Sequence, residues 1–303
     1  MTDTSPLSDI GLSDSDIEKA FGPSVIETLD PSSPKWKNLV NTQRKAIRKQ
    51  LWRRRLYNLL GKSYRNTSDV TDGYNRRWAN GTYGHIDGKP APCAWRDRTM
   101  LALGTGTTRV HQLCHMRAIE KFKPRTVLEV GSGTGYHLFA LSARFPQTRF
   151  TGLELTRVGV EVGADVKKND ILPDVWVETA PEPLLDLTAH KRTNLVQGDA
   201  SRLPFADGSF DFVYTSIALE QMDHIREQVF AEIRRVATGH VAFCEPWRDF
   251  NDSGYRREYI LAREYFAARV SDLKKFGLKP IFVSNDIPYK FRYSIAYVIA
   301  EVV

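Results

Sequence analysis

The stretch VLEVGSGTGYHLFAL, Val127 to Leu141, decides the fold. A short apolar run meets three glycines, Gly131, Gly133 and Gly135, and an amphipathic segment at helical spacing follows them. This pattern reads as strand, tight turn and helix. Glycines in such a turn let a ligand approach the backbone, and the helix start offers N–H groups to it. The spacing is G-x-G-x-G, not the G-x-G-x-x-G of a dinucleotide turn. Glu154 ends the next apolar run, RFTGLEL. Its distance from the glycines suits a carboxylate that accepts both hydroxyls of a ribose. Asp199, in LVQGDASRLPF, ends the third run.

Working outward, TVLEV, RFTGLEL, TNLVQGD, FDFVYTSI and HVAFCEP read as strands, and YHLFALSARF and IREQVFAEIRRVA read as helices among them. Strand–helix alternation predicts an α/β fold with a parallel sheet and right-handed crossovers. The chain closes with LKPIFVSND, a break near Pro288 and YSIAYVIAEVV, with no helix between. That predicts a hairpin whose final strand joins the sheet antiparallel. The α/β domain is expected over 121–303. Before it, 35–120 reads as a basic helical extension. Ile47, Leu51, Leu56, Leu59 and Leu60 fall at helical spacing there, Gly61 fits a stop, and NGTYGHIDGKPAPC reads as a loop. Residues 1–34, polar, acidic and Pro-marked, read as a flexible or loosely docked tail.

Composition excludes several classes. No apolar run reaches the roughly 18 residues that span a bilayer, and the start lacks the basic and apolar regions of a signal peptide. Cys93, Cys114 and Cys244 form neither a zinc pattern nor a disulfide framework, so no metal is expected and a reducing cytoplasm is. The formal net charge of +7 is uneven: Lys35 to Asn66 holds no Asp or Glu. Such a segment suits nucleic acid, anionic lipid, an acidic substrate, or a helix neutralised by the acidic stretch before it.

Together VLEVGSGTG, GLEL, GDASRLPFADGSFDFVYTSIALEQM and AEIRRVATGHVAFCEP resemble the class I methyltransferases that use S-adenosylmethionine. The resemblance covers about Arg109 to Val303, and the ordered set carries it. It implies a seven-stranded, mostly parallel Rossmann-like sheet and S-adenosylmethionine as cofactor. It implies that Gly131, Gly133 and Gly135 line the methionine and ribose portion and that Glu129 approaches the amino group. Glu154 would bind the ribose hydroxyls. Asp199 would accept from the adenine amino group while Ala200 donates a backbone N–H, and Ser216 would lie where cofactor and substrate meet.

Methyl transfer needs alignment and exclusion of water, and a hydroxyl acceptor benefits from a base. Candidates belong at the carboxyl ends of the strands. In SIALEQMDHIREQ these are Glu220 and His224. Relatives often carry His after Leu-Glu, where this chain has Gln221, and His224 would stand in as base. Asp223 would cap the following helix. Glu245, in FCEPWRDF, would contact substrate, with Trp247 and Phe250 as pocket walls. His137 is a helix-start alternative. Thr107, Thr108 or Arg109 would reach the cofactor carboxylate. DILPDVWVETAPEPLLDLTAH, Asp170 to His190, is long for a connection and would form a lid or the interface of a homodimer. Tyr255, Tyr259, Tyr265 and Phe266 read as a core stripe.

The leading expectation is O-methylation of a small molecule or glycan. A nucleic-acid or protein methyltransferase, gripping phosphates with Lys35 to Arg65, is the second reading. A variant sets the basic helix on an anionic membrane. The third is a non-catalytic module that keeps the cofactor fold.

Overall fold

The seven-stranded sheet expected from the glycine stretch is present in the computed structural model, which describes residues 3–59, 67–80 and 89–303. The expected stop at Gly61 and most of the Gly- and Pro-rich loop lie outside the described residues. The elements run α1 (Asp14–Phe21), β1 (Val25–Leu29), α2 (Pro34–Leu59), α3 (Thr67–Ala79), β2 (Pro90–Trp95), β3 (Arg98–Leu103) and α4 (Gly104–Phe122). The α/β part follows as β4 (Thr126–Val130), α5 (Tyr136–Arg144), β5 (Arg149–Glu154), α6 (Arg157–Val166), α7 (Asp174–Thr179), β6 (Asn194–Gln197), β7 (Phe210–Ser216), α8 (Arg226–Val236) and β8 (Ala237–Glu245). It closes with α9 (Gly254–Arg263), β9 (Leu278–Ser284), β10 (Tyr289–Lys290) and β11 (Ala296–Val302).

The large sheet has the order β6-β5-β4-β7-β8-β11-β9. Neighbours from β6 to β8 pair parallel, and β11 runs antiparallel to both β8 and β9. Parallel strands covered on both faces need continuous apolar runs. In β4 this holds, with Val127, Leu128 and Val130 all buried. The chain lays β4, β5 and β6 to one side, then crosses to β7 on the other. Beyond the carboxyl ends of β4 and β7 this reversal leaves the crevice where open α/β sheets bind ligands.

Two expectations for the N-terminal region are corrected. The acidic segment is docked, not a loose tail: Ser13 and Asp16 form a capping box at the start of α1, and Leu7, Ile10, Ile17 and Phe21 enter the main core. Charge patterning hid this, because the few apolar residues suffice to fix one helical face. The extension is also not purely helical. Strands β1, β3, β2 and β10 form a second, antiparallel sheet in that order. The C-terminal hairpin thus carries an excursion: between β9 and β11 the chain leaves the large sheet and adds β10 to β2, with Lys290 opposite Cys93. The segment 170–190 is no lid. Leu172 and Trp176 are buried in the core, and the Tyr136 hydroxyl donates to Thr179 Oγ1 at 2.7 Å, so α7 buttresses α5 from behind.

Candidate active site

The turn after β4 is fastened to β5 by Gly131 N and Ser132 N, which donate to the Leu153 carbonyl at 2.8 and 2.9 Å. Gly131 has φ +81°, and a Cβ there would lie 2.6 Å from the Ala218 Cβ. Gly133 has φ +56° under the Trp78 ring. Both conditions demand glycine. Gly131 and Gly133 border a cavity of about 300 Å³, within the size range of small-ligand pockets. Gly135 does not border it: with φ +87° it starts α5, and its N–H donates to the Ser132 carbonyl at 2.9 Å. Its expected ligand contact becomes a turn-forming role.

Glu154, at the end of β5, is buried beside the turn. Its Oε2 accepts from Gly133 N at 3.0 Å, and its Oε1 accepts from Thr156 N at 2.9 Å and Thr156 Oγ1 at 2.5 Å. These bonds fix the carboxylate at the cavity wall and leave lone pairs for further donors. Asp199 and Ala200 border the same cavity after β6. Asp199 accepts from Ser201 N and Ser201 Oγ, both at 2.8 Å and both on Oδ1, so Oδ2 remains for a ligand donor. Glu129 lies deeper. Burial pushes its carboxyl up to about 8, against the Tyr214 hydroxyl, which donates to Oε2 at 2.8 Å. Ser216 faces His137 across 3.3 Å, and both border the cavity.

The loop after β7 is strained. Ile217, a β-branched residue, has φ +51°. Such a conformation costs about 1–3 kcal/mol and persists only where neighbours enforce it. The enforcing group is Glu245. Its Oε1 accepts from Ala218 N at 3.0 Å and Leu219 N at 3.2 Å, while Ile217 N donates to the Cys244 carbonyl at 2.9 Å. Glu245 is fully buried and does not border the cavity, so the expected substrate contact is corrected to a positioning role. Burial pushes its carboxyl up to about 8 as well. Glu220 borders the cavity, and His224 lies exposed at its rim.

Other expectations move. Asp223 accepts from Arg226 at 2.6 Å and from Ala267 N at 2.8 Å, and makes no helix cap. Trp247 is sealed in the core against Phe230, Phe243 and Phe266 and walls no pocket. Thr107 and Thr108 border the cavity, while Arg109 turns away to the carbonyls of Ala20 and Glu178. Sequence reasoning missed a second chamber of about 500 Å³ that shares Val70, Tyr74, Arg77, Glu220, Gln221, Arg292 and Tyr293 with the first. Helix α3 and the Tyr259–Tyr265 segment enclose it, so that part of the expected core stripe is pocket wall.

The cavity fits the implied cofactor: a glycine cradle that a Cβ would fill, a strand-end carboxylate, a second carboxylate with a spare oxygen, and a buried acid for an amino group. Residues 128–243 match the family model described as "Methyltransferase domain". A malonyl-[acyl-carrier protein] O-methyltransferase of Laribacter hongkongensis is 33% identical over 113 residues, 37% of this chain and 34% of that protein. A demethylmenaquinone methyltransferase of Porphyromonas gingivalis is 28% identical over 131 residues, 43% of this chain and 46% of that one. The chain thus spans between a third and a half of the length of these curated relatives. Among solved structures, the [4+2]-cyclase SpnF superposes with a TM-score of 0.56 at 15% identity, over 78% of this chain and 96% of that one, which is a likeness of fold. Matched domain, sheet order and site geometry agree: the chain carries a class I S-adenosylmethionine-dependent methyltransferase domain.

Proposed function

We propose that the protein methylates an oxygen of a small-molecule acceptor, with S-adenosylmethionine as donor. The observation that carries this reading is the pair of connected chambers: the ribose, adenine and amino-group candidates line one, and the other adjoins it at Glu220 and Gln221. Oxygen is the atom named by the malonyl-[acyl-carrier protein] O-methyltransferase relatives.

Bound S-adenosylmethionine supplies a methyl group on a cationic sulfur. Glu154 and the turn hold the ribose side, Asp199 and Ala200 the adenine, and Glu129 the amino group. Glu245 holds the strained Ile217 turn, which fixes the near wall where acceptor and donor meet. The acceptor hydroxyl gives its proton to His224, whose exposed imidazole passes it to water. His137 is buried against Ser216 and orients that wall.

The test is calorimetric titration of the full chain with S-adenosylmethionine, followed by a screen for release of S-adenosylhomocysteine with panels of small hydroxylated and acidic acceptors. Micromolar binding and acceptor-dependent release are expected. No binding would refute the reading. Binding without release from any acceptor would point to a non-transfer use of the fold, of the kind that SpnF is named for.

A further inference from the structure

The segment after β9 carries YKFRY, Tyr289 to Tyr293. Tyr289 and Lys290 pair with Ala94 and Cys93 of β2, and Phe291 N donates to the Pro92 carbonyl at 2.9 Å. Beyond Lys290 the chain turns, and Tyr293 N donates to the Lys290 carbonyl at 3.1 Å. Phe291 packs outward against Trp36 and Tyr255, with ring centroids at 5.1 and 5.9 Å. Lys290 and Arg292, on either side of Phe291, both border the cofactor cavity.

These two cations lie side by side, with one carboxylate, Glu220, within electrostatic reach of both. Neither side chain forms an ion pair or a hydrogen bond among the described residues, and Arg292 Nε is a buried donor with no partner. Arg292 is flanked by the faces of Tyr259 and Tyr293, 5.8 and 5.3 Å from its guanidinium carbon, which orient the charge without neutralising it. Burial, and then the Arg292 charge, lower the affinity of Lys290 for its proton. Two partly buried like charges that share a single carboxylate keep an excess positive charge, and an anion placed between them relieves that cost. Position says whose anion it is. Arg292 borders both chambers, whereas Lys290, Gly131, Glu154, Asp199 and Ala200 border only the first, so the pair of cations sits at the junction of the two. The guanidinium therefore stands on the acceptor side, where its planar fork suits an oxyanion.

We propose that Arg292 and Lys290 form an anion subsite that holds an acidic group, carboxylate or phosphate, of the methyl acceptor. This inference rests on the methyltransferase reading. The full chain, saturated with S-adenosylhomocysteine, is titrated with inorganic phosphate and separately with succinate. The probes' relative affinities tell the two sources apart. At least one is expected to bind in the millimolar range, at least tenfold more weakly in Arg292→Met and a few-fold more weakly in Lys290→Met. Arg292→Lys restores part of the binding and guards against misfolding of the methionine variant. S-adenosylhomocysteine affinity stays within twofold in all three. The subsite is overturned if neither anion binds the wild-type complex, or if Arg292→Met binds them unchanged. It is also overturned if S-adenosylhomocysteine affinity falls in step with anion affinity, since the cations would then serve the cofactor's own carboxylate. Failure of the wild type to bind S-adenosylhomocysteine, with the anion response intact, would instead remove the methyltransferase reading and leave the anion site standing.

Discussion

Glu129, Glu154, Asp199 and Ser216, which line the end of the cavity proposed for the cofactor, stand in or directly after four strands of one sheet, taken in chain order. The acceptor end is assembled otherwise: Tyr74 and Arg77 come from α3, Tyr259 from α9, and Arg292 from the excursion beyond β10. The first end is a property of sheet topology, and any chain with this strand order has carboxyl ends to place there. The second depends on which appendages a given chain brings over the mouth of the sheet. Affinity for the cofactor and choice of acceptor are therefore separable, and substitutions at one end should leave the other nearly intact.

The largest expected effect breaks turnover alone. His224→Ala should lower kcat by roughly a hundredfold or more, the usual range for a lost general base, with cofactor affinity unchanged. Equal turnover in His224→Ala and wild type would remove it as base. Glu154→Ala should weaken S-adenosylmethionine binding by about a hundredfold, from the loss of charge-assisted bonds worth about 1.5–3 kcal/mol each, while phosphate or succinate binding persists. Asp199→Ala, which loses one such interaction, should cost about tenfold in the same calorimetric measurement.

A pH series sharpens the role of Glu129. Its carboxyl is raised to about 8, so below that pH the free protein holds a proton that must leave before a cationic amine can pair with it. Cofactor affinity should therefore rise with pH, by at most tenfold per unit, and level off above about pH 8. Glu129→Gln should abolish the slope. Glu129 and Glu245 are both raised above ordinary carboxyls. The folded chain thus keeps protons that the unfolded chain releases from about pH 4.5 upward, and the melting temperature of the free protein should fall as pH rises from about 5 to 8. The smallest effect is expected at Glu245→Gln. Near neutral pH that carboxyl is largely protonated, and an amide still accepts from Ala218 N and Leu219 N, so kcat should change by no more than about threefold. Glu245→Ala, which strands both donors, should destabilise the protein by about 2 kcal/mol.

The wall of the first chamber was legible in the sequence because each of its parts needs a particular residue type at a strand terminus: glycine where φ is positive, a carboxylate where β5 ends, and another after β6. Glu245 belongs to the expected strand end, but side-chain direction there depends on the local twist and on neighbouring N–H groups, which spacing does not encode. Gly135 belongs to the expected turn, but its N–H closes that turn onto the Ser132 carbonyl at the start of α5. The acceptor end was illegible because its residues are distant in sequence and individually ordinary. Lys290 and Arg292 gain meaning only once β10 is seen to leave its hairpin for the small sheet. The firmness with which residues 3–34 dock was underrated because composition averages over a segment, whereas Ile17 and Phe21 act as single anchors.

The binding of Ser5 to the last strand of the large sheet has a further consequence. Ser5 N donates to the Val283 carbonyl at 2.6 Å, and Val283 N donates to Ser5 Oγ at 3.3 Å. Among the described residues strand β9 has no neighbouring strand on its outer side in the sheet order, and such a margin is a template for pairing with another molecule. Lys279 and Pro280 discourage that pairing at one end, by charge and by a missing donor, and Ser5 occupies the other, where apolar Phe282 and Val283 lie. The acidic leading segment thus works against chain-to-chain polymerisation. Removing only the residues up to Pro6, which leaves the core anchors Leu7, Ile10, Ile17 and Phe21 in place, would show first as loss of solubility on concentration, before any loss of catalysis.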